Sequence, residues 1–308
     1  MTSQTNSGLR PIPVLVNPGG GSAAKVLEVL RGDSRFAVHE TEPRDLGATI
    51  EQLRGDGATR IGVSGGDGTI AAAAAVLAKT ETELAVIPGG TLNHLAHDYG
   101  IPVEPAEAAE LAATGSARPI DVATVNGQLF LNTSSVGAYV SFVRTRERLE
   151  EKMWYWPASI VAGLEMLFRM PRFDVEIDSP DSSEVKSYRA CLVFISVGER
   201  DFDKGMFGER TADGDRALHV IVVPNAGLRR LFAMVFAAVF HGMRANLHEV
   251  DSFLVDRCRI EMRRPKGNVS YDGEIERMTA PLEYRYHRDA LRLVSPSPAE
   301  RAAGILSE

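Results

Sequence analysis

Cysteine is nearly missing from this chain. Cys191 and Cys258 are the only two among 308 residues, with no CxxC spacing between them. A disulfide scaffold and a thiolate zinc site are therefore excluded, and both thiols are expected as reduced core residues. An excess of basic charge is also missing. Lys and Arg number 34 against 41 Asp and Glu, for a net charge of −7, whereas duplex binding relies on clustered cations that neutralise phosphates. Nucleic acid is not an expected partner. No apolar run reaches the roughly 18 residues that span a bilayer, since the best candidate, 231–240, is closed by His241 and Gly242. The opening residues MTSQTNSGLR offer no apolar core and no small-residue cleavage site. The expectation is a cytoplasmic chain whose membrane contact is peripheral. Three motifs are absent too: GxxxxGK[ST], GxGxxG after a strand, and HExxH.

What the chain does have is size, a 44% hydrophobic share, and a change of pattern near residue 135 that divides it in two. Up to that point strand and helix patterns alternate. PIPVLVN at 11–17 reads as a strand, and the segment after NPGGG places Ala23, Val26, Leu27 and Leu30 on one helical face. Strands at 36–40, 61–64 and 84–88 follow, each succeeded by a helical pattern. Such alternation predicts a mostly parallel sheet covered on both faces, with ligands beyond the carboxyl ends of its strands. Past Arg118 the signals become antiparallel, with an Asn126–Gly127 hairpin turn and strands at 172–178, 185–197, 218–223, 253–262, 269–272 and 291–294. Residues 144–170 and 228–243 read as helices.

The stretch 61–77, IGVSGGDGTIAAAAAVL, carries the strongest chemical signal. Glycines 65, 66 and 68 permit a close backbone approach, and the helix behind them offers unpaired N–H groups and a positive dipole end, which suits a phosphate. Asp67 in that cradle would serve a metal ion, a nucleotide hydroxyl or an attacking hydroxyl. Loops at 17–21 and 89–93 add two further glycine clusters on the same predicted sheet edge, together with Thr41. GVSGG at 62–66 also fits GxSxG, which would make Ser64 a hydrolase nucleophile, although the glycines continue past it into GGDGT.

GGDGT at 65–69 with PGGTLN at 88–93 resembles the diacylglycerol kinase catalytic domain, and more broadly the diacylglycerol, sphingosine and ceramide kinase superfamily related to NAD kinases and phosphofructokinases. VNPGGG at 16–21, TEPRDLG at 41–47, Asp121 in IDVATVNG, FLNTSSVG at 130–137 and YDGE at 271–274 extend the resemblance over most of the chain. It implies an NAD kinase-like parallel α/β domain at 1–134 that binds nucleotide, and a β-rich, sandwich-like domain at 135–289 that takes the lipid. The tail 290–308 is expected to pack back on the first domain.

The implied activity is transfer of the γ-phosphate of Mg·ATP to a hydroxyl of a diacylglycerol-like or sphingoid lipid, at the inner face of a membrane and in a possible homodimer. A kinase of a soluble polyol or nucleotide, or a non-catalytic sensor, are the alternatives. By the same resemblance Asn17, Thr41, Gly65, Gly66, Asp67, Gly68, Thr69, Gly90, Thr91 and Asn93 attend the nucleotide. Glu274 is the expected general base, with Asp272 second and Asp67, as in NAD kinases, the remaining alternative. Soluble bacterial diacylglycerol kinases open one strand with Asp-Gly-x-Leu-Asp, whose first Asp supports a structural Mg²⁺. Here that segment reads TADGDRALHVIVV, so Asp215 or Asp213 would hold the metal, with Arg216 where a glycine is usual. His94, His97 and His219 read as surface or packing residues. The aromatic cluster 154–156, the run 231–240 and the basic group Arg263, Arg264 and Lys266 read either as ordinary core and hairpin residues or as lipid-facing ones.

Overall fold

The computed structural model describes residues 10–137, 173–177, 186–201, 209–211, 214–224, 251–262 and 264–297. The expected helices at 144–170 and 228–243, the 154–156 cluster, Asp213 and Arg263 lie outside these residues. The chain divides into two compact units, 1–120 with 289–308, and 121–288.

The first unit alternates as the apolar periodicity requires. β1 (Ile12–Val16), α1 (Ala23–Arg31), β2 (Phe36–Glu40), α2 (Leu46–Gly55), β3 (Arg60–Gly65), α3 (Asp67–Leu77), β4 (Glu83–Pro88), α4 (His94–Tyr99) and α5 (Pro105–Thr114) follow in order. β2, β1, β3 and β4 pair in parallel, in that order. α1 packs on α5 and α2 on α3, one pair to each face of the sheet. On the α1 and α5 side Val14, Val16, Ala85 and Ile87 meet Val26, Leu30, Ala108 and Ala112 in one buried cluster. Arg60 ties the sheet to the end of α5, where the carbonyls of Ala112 and Ala113 and of the C-cap Gly115 accept its guanidinium N–H groups (2.8–3.3 Å). A cation there also offsets the negative end of the helix dipole.

The second unit is strand-rich. Its elements are β5 (Ala117–Val125, entering from the first unit), β6 (Gln128–Phe130), β7 (Thr133–Gly137), β8 (Phe173–Ile177), β9 (Lys186–Val197), β10 (Arg200–Asp201), β11 (Glu209–Arg210), β12 (Leu218–Pro224), β13 (Asp251–Val255), β14 (Arg257–Met262), β15 (Lys266–Tyr271), β16 (Glu274–Thr279) and β17 (Leu282–Val294). β9 pairs antiparallel with β7, β8 and β12. The division between units falls ahead of Asp121 rather than near 135, because β5 folds back on β6 through an Asn126–Gly127 turn with both φ angles positive, and β7 joins β9. The first residues of β17 pair with β14, and Arg292–Val294 pair in parallel with β4.

The strand expectations change in places: the last strand, expected at 291–294, begins at Leu282. The single strand at 253–262 is two, broken at Asp256, whose carbonyl accepts the Tyr286 N–H (2.9 Å). β16 gave no sequence signal because Met278 is the one residue of EIERMT that is buried, too little for an alternating pattern to emerge. Among the described residues no helix is long and apolar enough to cross a membrane.

Tyr284 is the largest fully buried side chain among the described residues. Its ring meets Phe130 edge-on (centroids 6.2 Å apart, 80°). Its hydroxyl donates to Ser134 Oγ (3.0 Å), which in turn donates to the Ser270 carbonyl (2.7 Å). Tyr284→Ala is expected to cost about 3–5 kcal/mol in urea unfolding. Tyr284→Phe, which keeps the packing and removes one hydrogen bond, is expected to cost about 1 kcal/mol.

Candidate functional site

Four parallel strands send the chain out at one edge of the first unit, and backbone hydrogen bonds stitch the emerging loops together. Thr41 N–H donates to the Val16 carbonyl (3.0 Å), Asn17 N–H to Ser64 (3.2 Å) and Gly89 N–H to Gly65 (2.9 Å). Asn17 Oδ1 accepts the Gly19 N–H (3.0 Å) and so curls the NPGGG loop. Asn93 has a left-handed backbone (φ 48°). Its side chain accepts the Gly90 N–H (3.0 Å) and donates to the Gly90 carbonyl (2.9 Å), which closes the PGGTLN loop on itself. Asn93 thereby shapes its loop, while Thr91 and Leu92 stand exposed.

The glycines are required by proximity. A Cβ on Gly90 would lie 2.7 Å from Gly66 Cα, and one on Gly65 would lie 2.6 Å from Thr69 Cβ. The two glycine loops thus touch backbone to backbone. α3 starts directly behind this contact with Gly66 as its N-cap and no side-chain cap. The first amide bonded within α3 is Ile70 N–H to the Gly66 carbonyl (3.1 Å), so the N–H groups of Asp67, Gly68 and Thr69 precede the helical ladder. All three residues are half-buried. Such an end attracts an anion through its amides and its dipole.

In the second unit Asp272 and Gly273, both with positive φ, form the two-residue turn that joins β15 to β16, with Tyr271 paired to Glu274. The Asp272 carboxylate accepts the backbone N–H groups of Leu131 (2.7 Å), Asn132 (2.8 Å) and Thr133 (3.2 Å). Its own N–H donates to the Thr133 carbonyl (2.9 Å). Asp272 is therefore spent on holding the FLNTSS segment to the DGE turn. Glu274 is exposed, and it takes part in none of these bonds. Beside it, burial and a hydrogen bond to Glu276 push the Tyr271 hydroxyl up to about 12.

Residues 11–125 match the family model of the diacylglycerol kinase catalytic domain. The resemblance to the diacylglycerol kinase family is thus carried by residues 11–125. The chain is 36% identical over 151 residues to a Pseudomonas aeruginosa protein named probable lipid kinase YegS-like, a match that covers 47% of this chain and 49% of that protein. The match thus spans about half the length of that relative. It is 27% identical over 281 residues to a Mycobacterium tuberculosis diacylglycerol kinase, covering 88% of this chain and 85% of the relative. In fold it is similar to a solved diacylglycerol kinase from Bacillus anthracis, with a TM-score of 0.65, 21% identity and coverage of 96% and 99%. It is also similar in fold to yeast NADH kinase, with a TM-score of 0.55, 12% identity and coverage of 97% and 87%.

Within residues 11–125 the fold gathers Asn17, Thr41, Gly65–Thr69 and the loop from Gly90 to Asn93 at one sheet edge. Ser64 is buried inside β3, with its carbonyl bonded to Asn17. It does not occupy the exposed turn a hydrolase nucleophile needs, which removes the GxSxG reading. Sequence reasoning passed over Ser22. A serine after three glycines looks like a helix cap, yet it makes no cap bond to α1. Its Oγ is buried without a hydrogen-bond partner among the described residues, next to Gly89.

Asp215, expected at a metal, is exposed, and the described residues hold no group of three His, Cys, Asp or Glu side chains able to bind one. His94 and His97 are exposed. His219, by contrast, is buried. Its Nδ1 accepts the Arg200 N–H (3.1 Å), which places the proton on Nε2, 2.7 Å from Ser252 Oγ.

Burial lowers the His219 pKa; the Glu199 charge opposes the shift, and the Arg200 charge adds a smaller push downward. A histidine whose folded pKa lies below its unfolded value near 6.5 stabilises the fold above that value, and the contribution is lost as the pH falls toward the folded pKa. Stability measured by urea unfolding should therefore decline as the pH drops below about 6.5, and His219→Gln should flatten this decline.

Proposed function

We propose that the chain is a kinase that moves the γ-phosphoryl group of Mg·ATP to a hydroxyl of a diacylglycerol-like or sphingoid lipid. The observation that carries this reading is the uncapped start of α3, set against two glycine loops at the carboxyl edge of a parallel sheet. The names of the relatives supply the acceptor class.

In this reading the N–H groups from Gly66 to Thr69 receive the phosphates of ATP, and Thr41, Asn17 and Thr91 flank the nucleotide. Asp67 attends the Mg²⁺ that enters with ATP. Asn93 acts on its loop rather than on the ligand. Glu274, the carboxylate of the DGE turn with no structural duty, accepts the proton of the lipid hydroxyl as its oxygen bonds to the γ-phosphorus. The bond from that phosphorus to the β–γ bridging oxygen breaks, and ADP leaves. The amides and Mg²⁺ offset the charge carried by the transferring group. Asp272 holds the turn and plays no direct part in proton transfer. Access to a lipid implies a peripheral meeting with the membrane surface.

The test is phosphate transfer from labelled ATP to a panel of detergent-dispersed lipids and soluble alcohols. Transfer to lipid is expected, and turnover confined to soluble alcohols would contradict the acceptor class. Glu274→Gln should lower kcat about 10²–10⁴-fold with nucleotide binding retained. Full activity in that variant, with loss in Asp67→Asn, would hand the base role to Asp67.

A further inference from the structure

Asp121 opens the second unit, and its side chain is 4% exposed. A carboxylate that deep needs a fixed counter-charge and filled lone pairs. Arg216 supplies both: Nε donates to Oδ2 (2.9 Å) and Nη2 to Oδ1 (2.5 Å). The Tyr286 hydroxyl donates to Oδ2 (2.6 Å), and Arg210 Nη2 stands 4.0 Å from the same oxygen. Burial, then the bond to Asp121, pushes the Tyr286 pKa well above its usual range, so the phenol stays a donor.

Arg216 is itself held. Its carbonyl accepts Arg288 Nη2 (3.0 Å). The Arg288 guanidinium lies over the Tyr286 ring, 5.6 Å from its centroid, and pairs with Asp256 at 2.7 and 3.1 Å. Next to Arg216 in the chain, Asp215 is fastened to Glu199. Asp215 N–H donates to Glu199 Oε2 (2.9 Å), and Glu199 N–H donates to the Asp215 carbonyl (3.2 Å).

We infer that Arg216 is the built-in counter-ion of Asp121 and stands in place of a structural divalent metal, so that the second unit holds its fold without one. A Mg²⁺ ion needs near-octahedral oxygen ligands at about 2.1 Å. On Asp121 it would meet two guanidinium charges, and the one described carboxylate in the expected metal segment, Asp215, is exposed. The side chains present suit a fixed organic cation better than a metal. The Mg²⁺ that accompanies ATP is a separate matter, and this inference is independent of the kinase reading.

Thermal unfolding of the nucleotide-free protein, at matched ionic strength, tests it. The midpoint of the wild type should agree within about 1 °C between EDTA and millimolar Mg²⁺. Arg216→Ala should lower the midpoint by about 5 °C. That is less than a fully buried pair would lose, because half of the Arg216 side chain faces solvent. Adding Asp121→Asn to Arg216→Ala should recover most of the loss, since the uncompensated charge is then gone. A wild-type midpoint that falls by several degrees in EDTA and returns with Mg²⁺ would overturn the inference, as would an Arg216→Ala midpoint equal to that of the wild type. Should Arg216→Ala fail to fold, the wild-type comparison decides alone.

Discussion

The candidate site rests on one close approach, the backbone contact between Gly66 and Gly90, where a single added methyl carbon would sit 2.7 Å from a neighbouring Cα. The approach is possible because β3 and β4 are parallel neighbours, with Gly65 in register with Pro88, so their exits lie side by side. It leaves α3 without a side-chain cap, a state that is costly to helix stability unless the amides find another partner. Asn17, through its side-chain oxygen, and Asn93, through its whole amide, fold the two flanking loops. The edge is thereby shaped by loops closed through their own side chains around a helix end that has no side-chain cap.

The second unit treats its acidic groups in contrasting ways. Asp121 is neutralised by arginine and tyrosine donors, and Asp272 is occupied by three backbone amides. Both are pinned, and both organise chain segments distant in sequence. Glu274, two residues beyond Asp272, is exposed at the start of β16. The neighbours in DGE thus differ in their partners: three backbone amides hold the Asp272 carboxylate, and the Glu274 side chain is exposed.

The first unit was legible in the sequence because its helices are amphipathic and its strands are short apolar runs bounded by glycine. α1 buries Ala23, Val26 and Leu30, three of the four residues its spacing marked. β16 was not legible, since most of its side chains face solvent. The break at Asp256 was hidden as well, because it depends on partners on β17. Site residues followed the same division. Glycine clusters reported where a phosphate would fit, but no spacing could tell that Asn93 closes its own loop or that Asp272 is consumed by residues 131–133. Arg216 stood out only as a departure from the related pattern. Its partner Asp121 lies 95 positions away, a separation that local pattern reading does not bridge.

The central claim is that the start of α3 is an anion site for the phosphates of a nucleotide. Amide hydrogen exchange of residues 65–70 and 89–93, with and without saturating Mg·ATP, tests it most directly. The account predicts that nucleotide protects the amides of Asp67, Gly68 and Thr69 and quiets the 89–93 loop. Bound nucleotide that leaves these amides unchanged while protecting another part of the chain would contradict it.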